Sequence, residues 1–175
     1  MDLSARELRK APEGSYDDII ECDIAVCQES LLEKYDVVVS WFVLEHVQDL
    51  AASLENVRMY LKPGGVFVAM FSGTYSVFGV INKLLPLDVG RWFLKKLLNR
   101  DLDKVFPAYY DSCYYSKIRQ IASSWGGARI VPRYRGANYF EFSRPIQRIY
   151  LMYENYICAN EYRNLATHYL VVLKK

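Results

Sequence analysis

The chain has 175 residues, of which 52% are hydrophobic and 24% charged, with a formal net charge of +2. That length supports one domain with a real core and is tight for two, and the composition is ordinary for a soluble globular protein. Membrane-spanning and secreted classes are not expected: Lys83, Asp88, Arg91 and Lys95 interrupt the longest apolar candidate, and the first seven residues are polar and charged. The four cysteines show no C-x-x-C spacing and have two histidines for company, so a metal site is not expected and a reducing, cytoplasmic compartment is. Charge is uneven. Residues 1–60 carry five basic and thirteen acidic side chains, and residues 61–175 carry seventeen and seven. The basic half would attract an anionic substrate, or it is simply a solvated surface.

In chain order, residues 17–23 read as a short strand that ends at Asp23. Residues 35–42 form a continuous apolar run rich in valine, too short for a helix and without alternation, which predicts a strand buried on both faces of a parallel sheet. Val43, Val47, Leu50, Leu54, Val57 and Leu61 then recur at steps of three and four and predict an amphipathic helix, stopped by Lys62-Pro63-Gly64-Gly65. Residues 66–71 predict a second buried strand, so the segment as a whole reads as a parallel βαβ unit. Residues 74–113 mix aromatics with cations and carry Pro86 and Pro107; they read as a helical cap inserted in a single domain, 1–175. Residues 114–125 predict a helix, 128–134 a strand, 141–160 a helix and 167–173 the last strand.

Ligands of open α/β sheets lie beyond the carboxyl ends of the strands, here Asp23, Ser40-Trp41 and Phe71-Ser72. The run Tyr35 to Ser40, then Val43-Leu44-Glu45-His46-Val47, then Leu61-Lys62-Pro63-Gly64-Gly65, resembles the central block of the class I S-adenosylmethionine-dependent methyltransferases of the small-molecule type. Asp2-Leu3-Ser4 is similar to the end of that family's second strand. The resemblance implies an α/β, Rossmann-like, mostly parallel sheet with an antiparallel last strand, incomplete at the N-terminus and carrying a helical cap insertion.

It also implies roles. Asp2, with Leu3 beside it, matches the position that accepts the cofactor's ribose hydroxyls, a task suited to a carboxylate; the rival role is an N-cap for the next helix. Asp23 and Ile24 match the pair beside the adenine, or a plain turn. Ser40 and Trp41 match the strand end that passes the methionine part, or they only pack. His46 is a weak candidate for a catalytic base, against a role in supporting the turn. The implied cofactor is S-adenosylmethionine. The implied acceptor is a small molecule or a sugar- or lipid-linked intermediate, and the rival is a catalytically inactive fragment or interaction scaffold. No nucleic-acid module is recognisable; a peripheral membrane contact through residues 74–113 and an oligomer through an exposed sheet edge are further expectations.

One departure from the family is plain. None of the nine glycines forms a G-x-G, whereas the family follows its first strand with a glycine-rich turn. The expectation is that the chain starts near the end of the family's second strand, binds the cofactor poorly and is inactive by itself.

Overall fold

The computed structural model describes residues 1–84 and 108–175. A short turn of helix, α1 (Ala5–Leu8), opens the chain, with Ser4 as its N-cap. The central unit is strand β1 (Tyr35–Trp41), helix α2 (Leu50–Tyr60) and strand β2 (Leu61–Ser72). β1 and β2 pair in parallel from Val37↔Val66 to Trp41↔Met70, as the two apolar runs around one amphipathic stripe predict. α2 begins where Asp49 accepts from the Ala52 N–H at 2.9 Å. It buries Leu50, Leu54 and Val57.

Among the described residues, three further α-helices and two strands follow. They are α3 (Val77–Leu84), α4 (Tyr115–Ile121), β3 (Gly127–Arg133), α5 (Arg144–Ala159) and β4 (His168–Lys174). The sheet order is β1-β2-β4-β3. β4 runs antiparallel to both neighbours, so it is the one reversed strand of the four. Pro132 lies in β3, an edge strand, where a missing N–H is tolerated.

The register explains the core. Cross-strand partners Phe67↔Leu173, Ala69↔Val171 and Phe71↔Tyr169 share one face, and all six are buried. They join Leu50, Leu54 and Val57 of α2 and Ile118 of α4 in one cluster, with Trp125 stacked on Phe67 at 6.3 Å. Each such large apolar side chain contributes about 1.5–3 kcal/mol by leaving water. The opposite face carries Val37↔Val66, Val39↔Val68 and Trp41↔Met70, and there Val37, Val39 and Trp41 are 56%, 65% and 57% exposed.

Several expectations need correction. Residues 17–23 form no strand; their one ladder contact is an isolated parallel bridge between Glu21 and Asp2. β1 is an edge strand covered on one face only, so its run of valines is not buried twice. The helix starts at Leu50, not Val43, because Leu44–His46 forms a separate 3-10 turn. Lys62 to Gly65 belong to β2 rather than to a helix stop. They bulge there, the register jumping between Tyr35↔Leu61 and Val37↔Val66, and Gly64 takes φ +78° in the bulge. The cap at residues 74–113 falls largely outside the described residues; residues 74–84 and 108–113 lie within them.

Candidate functional site

Since β1 and β2 are parallel, α2 carries the chain from the carboxyl edge of β1 back to the amino edge of β2. The loop between β1 and α2 therefore sits on the carboxyl edge. It opens with Phe42, whose φ of +53° is unusual for a bulky side chain and marks a sharp, strained exit from the strand. The Phe42 N–H donates to the Met70 carbonyl at 2.7 Å, and its ring meets His168 edge-on at 5.4 Å. Ser40, two residues before it, is 7% exposed, and its hydroxyl has no hydrogen-bond partner among the described residues. Trp41 projects outward, packed edge-to-face on Phe42 at 5.9 Å.

The bridge pairs Asp2 with Glu21, two residues before Asp23. The Asp2 N–H donates to the Ile20 carbonyl at 3.2 Å, and the Cys22 N–H donates to the Asp2 carbonyl at 3.1 Å. Each carboxylate spends one oxygen on its own turn, Asp2 on the Ser4 N–H and Asp23 on the Ala25 N–H, both at 2.8 Å. Their second oxygens make no hydrogen bond among the described residues, which leaves one acceptor on each. Ser4, not Asp2, caps α1. Leu3 is 69% exposed, whereas Ile24 packs on the core.

α2 aligns the Asp23 segment. Asn56 donates to the Ile24 carbonyl at 2.9 Å, and one turn later the Tyr60 hydroxyl meets the Gln28 N–H and the Val26 carbonyl. The segment thus runs down α2, with Asp23 at the end nearer the carboxyl edge. No hydrogen bond among the described residues links Asp2 or Asp23 to Ser40 or Trp41. His46 is half-buried in the 3-10 turn, its N–H on the Val43 carbonyl.

Three groups that the sequence reading missed complete the edge. The first is Glu45, 4% exposed. Its Oε1 accepts from the Ser72 N–H at 3.3 Å and the Ser72 hydroxyl at 3.0 Å, while its Oε2 is buried without a hydrogen-bond partner among the described residues. Burial pushes this carboxyl above its ordinary range, against the opposing pull of the Ser72 bonds and of His46. The second is His168 at the start of β4, buried, with Nε2 3.1 Å from the Tyr139 hydroxyl; burial lowers its pKa and keeps the ring neutral. Tyr139 in turn stacks on Phe78 of α3 at 4.2 Å.

The third group is a clamp. The Tyr110 N–H donates to the Glu45 carbonyl at 3.0 Å, the Thr74 hydroxyl to the Tyr110 carbonyl at 2.8 Å, and the Thr74 N–H to the Cys113 carbonyl at 2.8 Å. Both described flanks of the 74–113 segment are thereby fixed at the carboxyl edge. The signal for Glu45 was its place beside His46. Nothing in the sequence marked His168, because a lone histidine opening a strand has no pattern.

With this geometry in view, comparison with known proteins identifies the fold. A family model described as "methyltransferase domain" matches residues 1–67. No curated protein matches. An S-adenosylmethionine-dependent methyltransferase from Archaeoglobus fulgidus is similar in structure at 16% identity, with 97% of this chain and 72% of that one covered and a TM-score of 0.54. One from Mesorhizobium loti gives 15% identity, 99% and 78% coverage and a TM-score of 0.53. Against phosphoethanolamine N-methyltransferase 2 from Haemonchus contortus the identity is 12% and the TM-score 0.48; the chain spans 36% of that protein's length. The chain has the fold of the class I S-adenosylmethionine-dependent methyltransferases, with its reversed strand between the two last parallel ones.

Proposed function

We propose that the protein supports S-adenosylmethionine-dependent methyl transfer to a small molecule or a sugar- or lipid-linked intermediate, at the carboxyl edge of the sheet. The support for this reading is a fold shared with methyltransferases, together with a bridge that joins the segments of Asp2 and Asp23, two carboxylates that each keep one oxygen unbonded among the described residues. The donor set fits the cofactor in part. Asp2 would accept the ribose hydroxyls, Asp23 and Ile24 would border the adenine, and Ser40 and Trp41 would line the passage of the methionine part. A glycine-rich turn to approach the rest of the cofactor closely is not in this sequence.

The cofactor supplies an electrophilic methyl group on a sulfonium. The chain's own task is to orient the acceptor and keep water away. Phe42, Phe78 and Tyr139 form an aromatic wall for that purpose, linked through His168. Neutral His168, held by Tyr139, takes a proton from an acceptor hydroxyl or amine better than His46 does, because it faces this wall. The four free cysteines suit a reducing, cytoplasmic setting.

Calorimetry of the whole chain with S-adenosylhomocysteine tests the reading. Binding is expected in the millimolar range, weakened about tenfold further by Asp23→Asn, which removes a charged acceptor. An unchanged affinity in D23N would remove the adenine-side role, and micromolar affinity in the parent chain would remove the argument from the glycine turn.

A second reading is favoured by the exposure of Val37, Val39 and Trp41 on β1: an inactive scaffold that pairs through this sheet edge. It predicts self-association that Val39→Lys abolishes, read by sedimentation.

A further inference from the structure

α5 is amphipathic in an unusual way, because it has two apolar faces. One is inward: Tyr150 and Ile157 are buried, and Glu154 between them accepts from the Gly136 N–H at 2.6 Å and the Thr167 hydroxyl at 2.7 Å. The other is outward. Ile149, Met152 and Tyr156, spaced by three and four and so on one side of the helix, are 68%, 72% and 59% exposed. A contiguous outward patch of this kind on a water-soluble helix marks a surface that meets another phase or molecule.

The charges beside the patch identify what it meets. Arg144, Arg148, Met152 and Tyr156 follow one another at steps of four, so two cations continue the row in which the apolar residues lie. Both arginines are exposed, and neither has an ion-pair partner among the described residues. The only carboxylate within α5 is Glu154, which is buried and accepts two hydrogen bonds at Oε1, so the outward charge of the helix is wholly positive. Further upstream, Arg133 and Arg135 are exposed as well, with the exposed Glu141 between them and the helix. A protein partner burying this patch would have to leave the arginines solvated or match them with carboxylates. A bilayer interface accepts both parts without such matching: apolar side chains enter the acyl boundary, tyrosine rests at headgroup level, and arginine stems lie along the surface with their heads on anionic lipid.

The geometry points to α5 as a docking surface for an anionic lipid membrane, with the helix lying in the interface plane through Ile149, Met152 and Tyr156 and oriented by Arg144 and Arg148. The contact is peripheral: no helix among the described residues is long and apolar enough to cross a membrane. It involves none of the residues at the carboxyl edge, so it stands or falls apart from methyl transfer.

Flotation of the whole chain with vesicles tests it. The chain should float with phosphatidylcholine mixed equally with phosphatidylserine and stay behind with pure phosphatidylcholine. Ile149→Ser with Met152→Ser should abolish flotation; both positions are exposed, so the fold is retained, which circular dichroism confirms. Arg144→Gln with Arg148→Gln should weaken it about tenfold or more at low salt, since each cation near an anionic surface contributes roughly a fivefold gain. Failure to float with the anionic vesicles, or flotation unaffected by the two serines, overturns the proposal. So does sedimentation in which the same serines convert a dimer to a monomer, which would make the patch an interface between copies of this chain.

Discussion

Glu45 and His168 are buried ionisable groups at the carboxyl edge, and they make opposite pH predictions. Burial raises the Glu45 carboxyl, so its proton contributes stability at pH values below the ordinary carboxylate range, and that contribution is lost as pH rises through the raised value. Glu45→Gln keeps an acceptor for Ser72 and removes the ionisation. Urea denaturation should therefore show E45Q gaining on the parent from pH 5 to pH 8 as a trend, whereas Glu45→Ala should lose about 1–3 kcal/mol throughout, because the Ser72 N–H and hydroxyl are left unpaired. Burial lowers His168, so its neutral form contributes stability above the ordinary histidine range, lost as pH falls through the lowered value. His168→Gln should flatten the fall in Tm between pH 7 and pH 5; an unchanged fall would place the acid sensitivity elsewhere. At this scale the sequence was informative where residues cluster in a motif and silent where they do not. Asp2 and Asp23 were visible as acids at strand ends, and the bridge does join their segments. His168 and Tyr139 are 29 residues apart and meet only through the fold.

The βαβ unit depends on how each element starts and stops. Asp49→Ala should cost about 1 kcal/mol in chemical denaturation, because the Ala52 N–H loses its cap. A greater sensitivity attaches to Gly73, where β2 leaves the sheet. Its N–H donates to the Thr167 carbonyl, and a Cβ there would sit 2.3 Å from the Ala166 carbonyl oxygen. Gly73→Ala should destabilise by about 1–3 kcal/mol or more through forced separation of β2 from the approach to β4, read by the urea midpoint. Hydrophobic period found β1, α2 and β2, because a stripe at steps of three and four and an unbroken valine run have few other uses. It misplaced the helix start, since Val43 and Val47 extend the stripe arithmetically, yet Leu44–His46 forms its own turn; Asp49 was the capping signal that marks the true start. It also overstated residues 17–23, where one bridge rather than a ladder forms.

For the molecule as a whole, the order β1-β2-β4-β3 and the reversal of β4 were not contained in any local pattern. The reversal of the last strand came with the resemblance to a family and the order did not, since long-range order is a property of which faces must be covered rather than of any one segment. The same holds for the site: its carboxyl edge follows from topology, whereas its aromatic wall depends on Phe42, Phe78, Tyr139 and His168 arriving from four separate segments. The central claim is that this edge, and not another surface, receives S-adenosylmethionine. Mapping of backbone amide chemical shifts in the isotopically labelled chain, titrated with S-adenosylmethionine to millimolar concentration, tests it most directly. The account predicts saturable shifts confined to the amides around Asp2–Leu3, Asp23–Ile24 and Ser40–Phe42, with a dissociation constant nearer millimolar than micromolar. Saturable shifts centred on another part of the molecule, or none at all at those amides, would contradict it.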